Sequence, residues 1–578
     1  MITAEYLRQK LKDLYEDLAK NKIILQAVLV GLVAGILVVL FKLAVDSLFR
    51  FVQTEIGNVS WWERLLLLPC VLTVGGLISG LLVFKIAPET RGSGIPYVKL
   101  VLTKIGSVIR LRSILVKFFA GVAGIGSGLP LGREGPSVQL GAGAGSLVGR
   151  IFDVNAVDKD KLIAAGAGSA IGATFNAPIA GTIFVLEELL QKFYSFLLFP
   201  ILAATVTAAS FARYFLGNHP AFHIPSLDRE MSLNGILLSV LLGFLSGILG
   251  VYFARLIYFS QNLFERYRKF PDWAKPAVAG FVIGIVGLFL PGVLGTGNDA
   301  IGLLLEHKLG LGMILLIFIG KFFLTPFCFG SGAAGGIFLP ILMLGSFLGY
   351  LLASMAAWFG LEVNVVAVSL VGMAAFLSAV ARTPITAVVM VFEMTAGYTY
   401  ILPIMLSAAI ADLTAKRMHH KPIYLKLMLR QSQKSEEARL LGKMNARSIM
   451  AEDVHSFPAE TTIGEALQVI KAEGHMIYPV VDKKKKFMGI VTRSDINDAL
   501  ILGNDQNTAV EKIMNPKAVV AYPDTDLYTV YFRLRLNNSE RAIVIDRRKF
   551  IKGIITRSDI HVAADPKPRE EETAPRGK

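Results

Sequence analysis

The chain has 578 residues, 53% of them hydrophobic and only 18% charged, with a mean hydropathy of +0.56 and a net charge of +15. Soluble domains carry about 25% charged residues, so an ordinary soluble protein is excluded. Nucleic acid is not expected as a partner either, because most of the positive charge lies in the apolar stretch 1–430, as positive-inside loops would place it, and the charged tail carries no basic stripe interleaved with aromatics.

Charge is unevenly placed: 58 charged side chains are spread over residues 1–430, whereas 45 are concentrated in the much shorter stretch 431–578. A membrane unit followed by a soluble unit is expected. The first segment, MITAEYLRQKLKDLYEDLAKNK (1–22), reads as a cytoplasmic amphipathic helix. It is too long and too acidic for the n-region of a signal peptide. A transmembrane domain over 23–430 follows, with apolar runs near 23–41, 65–84, 162–187, 195–212, 235–259, 277–290, 311–329, 338–358 and 385–410. Several approach the roughly 20 residues that span a bilayer. Gly and Pro interrupt them, and at least ten helices are expected. The five Lys/Arg of segment 1–22, with Lys416, Arg417, Lys421, Lys426 and Arg430, favour cytoplasmic placement of both termini. Cys70 and Cys328 both fall in apolar runs and read as inert core residues, without disulfide or metal spacing.

The membrane domain repeats internally. GSGLPLGREGP (126–136) matches GSGAAGGIFLP (330–340) at an offset of 204, and NAPIAGTIFVLEE (176–188) matches RTPITAVVMVFEM (382–394) at 206. The second pair aligns Pro178 with Pro384 and Glu187 with Glu393. Duplicated halves of this kind, often inverted, place a transport site where broken helices meet at the midplane.

Three Gly/Pro-bounded helix starts stand out: GSGIP (92–96), GREGP (132–136) and GIFLP (336–340). A helix start turns unpaired N–H groups and a positive dipole end toward its cap, and glycine lets an anion approach the backbone. With one hydroxyl, Ser93, the set argues for an anion rather than a cation. Glu134 is an intramembrane carboxylate, costly to place there. Ionised, it would compete with an anion for the same N–H groups; protonated, it would swing away. The alternative is a Glu134–Arg133 pair at the helix start. Glu187 and Glu188 project about 100° apart on a helix, so only one faces a given path. One is expected to accept protons from the cytoplasm and the other to cap a structural network, or both are structural; Glu393 reads as structural.

GAGAGS (141–146) and GAGSAIG (166–172) lack the strand and acidic residue of a nucleotide fingerprint and read as tight helix packing through small residues. The sequence contains no spacing for a catalytic triad, metal cluster or hydrolase carboxylate pair, so an enzyme is not expected. After a polar linker (431–445), the tail repeats at an offset of 64: GIVTRSDI (489–496) recurs as GIITRSDI (553–560), and Asp482 aligns with Asp546. Each unit reads as strand, helix, strand, charged turn, strand, then a helix from Ser-Asp. The units span 446–502 and 508–564, and 565–578 is expected to be disordered. KKKK (483–486) reads as a solvated turn or an anionic-lipid contact.

GSGIP, GREGP, GIFLP and KPIY (421–424), in that order, resemble the CLC chloride channel and transporter family, and the tail resembles a pair of CBS domains. The resemblance implies an α-helical polytopic membrane protein built as an inverted repeat of broken helices, with a C-terminal α/β CBS pair. It also implies a homodimer in the cell membrane with one anion pathway per subunit. By the same resemblance, Ser93 and Tyr424 would be side-chain ligands of a central chloride, completed by backbone amides at Ile337 and Phe338. Glu134 would be the outer gating glutamate, with backbone amides from Arg133 to Pro136, including Gly135, at an external anion. Glu188 resembles the inner proton-transfer glutamate of exchangers, which favours chloride/proton exchange over a passive chloride channel on the same fold. Ser93 resembles the residue of chloride-preferring members, and the fluoride-exporting branch matches GSGIP and the inner tyrosine less well. One departure is Tyr97-Val98-Lys99 after GSGIP, where many bacterial exchangers carry an acid. Thr492, Asp495, Thr556 and Asp559 would hold ATP or another adenine nucleotide as a regulatory ligand, or each Asp would merely cap its helix. No cofactor is otherwise required. A CBS-regulated divalent-cation transporter would need several acids converging on one site.

Overall fold

The computed structural model describes residues 4–103, 109–191, 193, 195–218, 220–222, 231–267, 269–395, 398–432, 440–474, 477–537 and 539–564, the side chains of 4–21, 195, 196, 398, 535, 536, 561 and 564 aside. The expected disordered tail at 565–578 lies outside them. The chain forms two compact units, Met1–Leu429 and Arg430–Lys578.

The first half of the membrane unit contains α1 (Ala4–Asn58), α2 (Trp61–Leu81), α3 (Ile95–Leu102), α4 (Leu111–Ser127), α5 (Glu134–Ile151), α6 (Ala156–Phe175), α7 (Pro178–Phe184) and α8 (Ser195–Leu216). The second contains α9 (Leu233–Arg266), α10 (Lys275–Phe289), α11 (Asn298–Leu305), α12 (Leu311–Ser331), α13 (Phe338–Trp358), α14 (Val365–Ala381), α15 (Pro384–Thr395) and α16 (Ile401–Arg417). A last helix, α17, runs from Ile423 to Ser432. The segment expected to be a separate N-terminal helix is continuous in backbone with the rest of α1. Seven helices among the described residues are long and apolar enough to cross a membrane, and the unit is a multi-pass membrane protein.

The two halves correspond element by element. In each, a two-helix hairpin (α5–α6, α13–α14) forms the buried centre, flanked by the pairs α1–α8 and α9–α16. The 162–187 and 385–410 runs are not single spans. The first breaks at Asn176, which takes a left-handed backbone, and its repeat mate Arg382 does the same. Pro178 and Pro384 then open α7 and α15, where their fixed φ suits a first helical turn. The glycine runs pack as expected: a Cβ on Gly141 would strike the carbonyl of Gly166, so α5 and α6 touch backbone to backbone. Cys328 is buried, but Cys70 is exposed on α2. That corrects the core reading: in a membrane helix an apolar side chain can face lipid as readily as the interior.

In the soluble unit, each repeat folds into a three-stranded sheet. In the first, β1 (Phe457–Pro458) pairs parallel to β2 (Ile477–Val481), which pairs antiparallel to β3 (Phe487–Thr492). α18 (Ile463–Glu473) and α19 (Arg493–Ile501) flank it. In the second, β4 (Val520–Ala521), β5 (Arg541–Ile545) and β6 (Ile551–Thr556) repeat the order, with α20 (Leu527–Leu536) and α21 (Arg557–Ala564). Each repeat lends a residue to the other's last strand: Ala451 bridges Ile554, and Asn515 bridges Ile490. Phe487, Ile490, Ile543 and Ile545 form a shared core. The lysine run makes the β2–β3 turn, where Asp482 accepts the backbone N–H groups of Lys484 and Lys486. Its mate Asp546 is held below the usual carboxylate range, first by the backbone N–H of Phe550.

Candidate functional site

The three glycine-rich helix starts meet in space. Gly132 and Gly336 exchange backbone hydrogen bonds of 2.7 and 2.6 Å, and the Gly335 N–H donates to the Gly92 carbonyl at 3.1 Å. Loops from the two halves of the duplication are thereby stitched together at the starts of α3, α5 and α13. The Ser93 loop needs its glycines: Gly92 and Gly94 have φ of +67° and +95°, in the left-handed region that side chains avoid. Gly135 lies so close that a Cβ there would overlap the Ser93 Oγ and carbonyl.

Side chains converge on this junction with polar groups unused. Ser93 Oγ, the Tyr424 hydroxyl and Glu134 Oε1 are buried with no hydrogen-bond partner among the described residues, and so are both amide atoms of Gln139. Buried polar atoms are ordinarily satisfied, so a cluster of open ones marks a place built for a polar guest. Glu134 Oε2 accepts the Leu339 N–H at 3.3 Å. The first N–H groups of α13, those of Ile337 and Phe338 included, have no intrahelical acceptor. A carboxylate oxygen therefore occupies a seat that suits an anion. The Phe338 ring packs against Phe175 and Phe184, at 5.7 and 6.2 Å between centroids.

Arg133 does not pair with Glu134. Its guanidinium forms an ion pair with Asp46 of α1 instead. Asp46 also lines a cavity of about 250 Å³ with Arg50, Thr296, Asn298 and Asp299. Thr296 belongs to a Gly-Thr-Gly loop, 295–297, that is the second-half counterpart of the Ser93 loop, with positive φ at both glycines. Two fully buried lysines brace the two loops. Lys117 donates to the carbonyls of Thr90 (2.8 Å) and Gly92, and Lys321, its counterpart in the second half, donates to the Gly295 carbonyl at 2.6 Å.

The paired glutamates separate as their spacing requires. Both lie on a π-helical turn, Val185–Leu190, that continues α7. Glu187 accepts the N–H groups of Ile385 and Thr386 at the start of α15 (3.1 and 2.7 Å). Glu188 points the other way and forms a buried ion pair with Lys99 Nζ at 2.6 Å. Glu393 accepts the Ile179 and Ala180 N–H groups at the start of α7 (3.2 and 2.6 Å).

In the soluble unit, Thr492 and Asp495 form a reciprocal cap on α19: the Thr492 N–H donates to Asp495 Oδ2 at 2.8 Å, and the Asp495 N–H donates to Thr492 Oγ1 at 3.1 Å. Thr556 and Asp559 repeat it on α21, at 2.7 and 3.2 Å. The helix thus starts one residue before the expected Ser-Asp, at Arg493.

Sequence reasoning misses Gln139, Asp46 and the 295–297 loop, and sees Lys99 only as a departure. The loop was detectable, since Gly-x-Gly at 92–94 recurs at 295–297, close to the offset that relates the other motif pairs. Lys99 and Asp46 gain meaning only from partners 89 and 87 residues away.

The sequence profile of the family described as "Voltage gated chloride channel" matches residues 75–416, and that of the CBS domain matches 446–502 and 510–564. The H(+)/Cl(-) exchange transporter ClcA of Yersinia pestis bv. Antiqua (strain Angola) is 35% identical over 431 residues, 72% of this chain and 89% of that protein. The ClcA of Vibrio cholerae serotype O1 (strain M66-2) is 35% identical over 432 residues, 72% and 91% of the two chains. Among solved structures, a slow cyanobacterial Cl-/H+ antiporter superposes with a TM-score of 0.66 at 29% identity, covering 72% of this chain and 98% of its own. A eukaryotic CLC transporter shares the fold over 93% of this chain and 97% of its own, with a TM-score of 0.65 at 20% identity.

Proposed function

Since the chain belongs to the voltage-gated chloride channel family and carries two CBS domains, we propose that it exchanges chloride for protons across the cell membrane. Ser93 and Tyr424 hold a central chloride through their open hydroxyls, with the N–H groups of Ile337 and Phe338 completing the cradle. Glu134 is the outer gate. Ionised, it takes the α13 seat that chloride would occupy; protonated, it leaves, and the proton moves with it. Backbone amides from Arg133 through Gly135 receive the outer chloride once Glu134 has gone. Glu188 passes protons between this gate and the cytoplasm, and the Tyr424 hydroxyl lies within electrostatic reach of both glutamates. The protein acts as a homodimer with both termini cytoplasmic, and the CBS pair regulates flux by binding an adenine nucleotide.

The observation that carries this reading is the Glu134 carboxylate on the Leu339 N–H, beside an Oε1 with no partner. A carboxylate and a chloride compete there for one set of donors. Glu134→Gln tests it: chloride flux through proteoliposomes persists while proton movement stops. Protons still coupled to chloride in that variant would contradict the assignment.

A further inference from the structure

Lys99 departs from the pattern of acids expected after GSGIP, and its partner gives it a role. Its Nζ lies 2.6 Å from Glu188 Oε1, with the two side chains only 3% and 2% exposed. Burying a charge is costly unless it is paired or hydrogen-bonded, and here each member of the pair supplies the other's counter-charge. Lys99 is also five residues beyond Gly94 on α3, about 7.5 Å along the helix. One short helix thus carries the Ser93 loop at its start and the ammonium on Glu188 near its end.

The surroundings make this pair the dominant charge interaction at Glu188. The π-turn holding Glu188 packs on α3, α6 and α7. The charged residues of α6, Asp158 to Lys161, all lie in its first turns, and α7 has none. Besides Lys99, the titratable groups facing Glu188 are Glu187 on its own turn and the Tyr424 hydroxyl of α17.

We propose that Lys99 is a positioning residue for proton transfer: its ammonium favours the ionised form of Glu188 against the burial that opposes it, anchors that carboxylate to α3, and so sets the pH range over which the inner glutamate exchanges protons. Protonating Glu188 breaks the ion pair and leaves Lys99 without its counter-charge. The proton is therefore passed on rather than retained. This rests on the role given to Glu188 above.

The test records chloride-driven proton uptake against pH in proteoliposomes holding the full chain, for wild type, Lys99→Met, Lys99→Arg and Glu188→Gln. Removing an opposite charge this close is expected to move the half-maximal pH of proton uptake in Lys99→Met by about one unit or more toward alkaline, with chloride flux still measurable. Lys99→Arg, which keeps the charge, leaves the midpoint in place. An unmoved midpoint in Lys99→Met, or an equal displacement in Lys99→Arg, overturns the proposal. Continued proton uptake in Glu188→Gln would instead remove the role of Glu188 itself. If Lys99→Met does not assemble, the double variant Lys99→Met/Glu188→Gln, with both charges of the ion pair removed, is expected to assemble and carry chloride. Failure of the double variant would make Lys99 a packing residue and overturn the proposal.

Discussion

Glu187 and Glu393, equivalent residues of the two halves, cap each other's helices. Glu187 closes the start of α15, which contains Glu393, and Glu393 closes the start of α7, which leads into Glu187. The exchange is what a two-fold relation between the halves demands, since any contact from one side must recur from the other. It also divides the labour in Glu187–Glu188: one carboxylate holds the halves together, and its neighbour faces Lys99.

The caps are structural, so losing one lowers stability without uncoupling transport. Glu393→Ala is expected to cost about 0.5–2 kcal/mol, the range for a lost helix cap, seen as a lower melting temperature in detergent. The ratio of protons to chloride should remain that of the wild type. A changed ratio at unchanged stability would place Glu393 in the pathway.

Ser93→Ala and Tyr424→Phe each remove one hydroxyl from the central site. A hydrogen bond to a charged group contributes about 1.5–3 kcal/mol, so chloride affinity should fall roughly ten- to hundredfold in each variant by titration calorimetry. Neither hydroxyl has a protein partner to lose among the described residues, so the fold should tolerate both. An unchanged affinity would mean that the backbone amides alone hold the ion.

Much of this site was legible in the sequence because broken helices announce themselves. Glycine and proline at 92–96, 132–136 and 336–340 mark the three helix starts, and the offsets of 204 and 206 reveal the duplication. Periodicity states that Glu187 and Glu188 diverge but not which way each turns; that depends on the α3 and α15 surfaces. The α3 start could be read from Gly94 and Pro96, whereas the Lys99–Glu188 pair could not, because ion pairing is a tertiary property. Cys70 is misplaced for a related reason: in a bilayer, apolar character does not separate core from periphery.

The soluble unit offers a cleaner separation of cap from ligand site. Asp495→Asn keeps an oxygen that can accept the Thr492 N–H but loses the carboxylate charge that suits a ribose diol. If the CBS pair binds nucleotide through Asp495, ATP binding to the full chain should weaken at least tenfold with little change in melting temperature. Equal ATP binding by both chains would reduce Asp495 to a helix cap.

The central claim is that chloride and protons are coupled through Glu188. In proteoliposomes given a chloride gradient, no pH gradient and an external pH electrode, the wild-type chain should drive protons uphill at the expense of chloride. Glu188→Ala should stop that proton movement while chloride still flows. Chloride flux with no pH response in the wild type would contradict the account and make the same glutamates the gate of a passive channel.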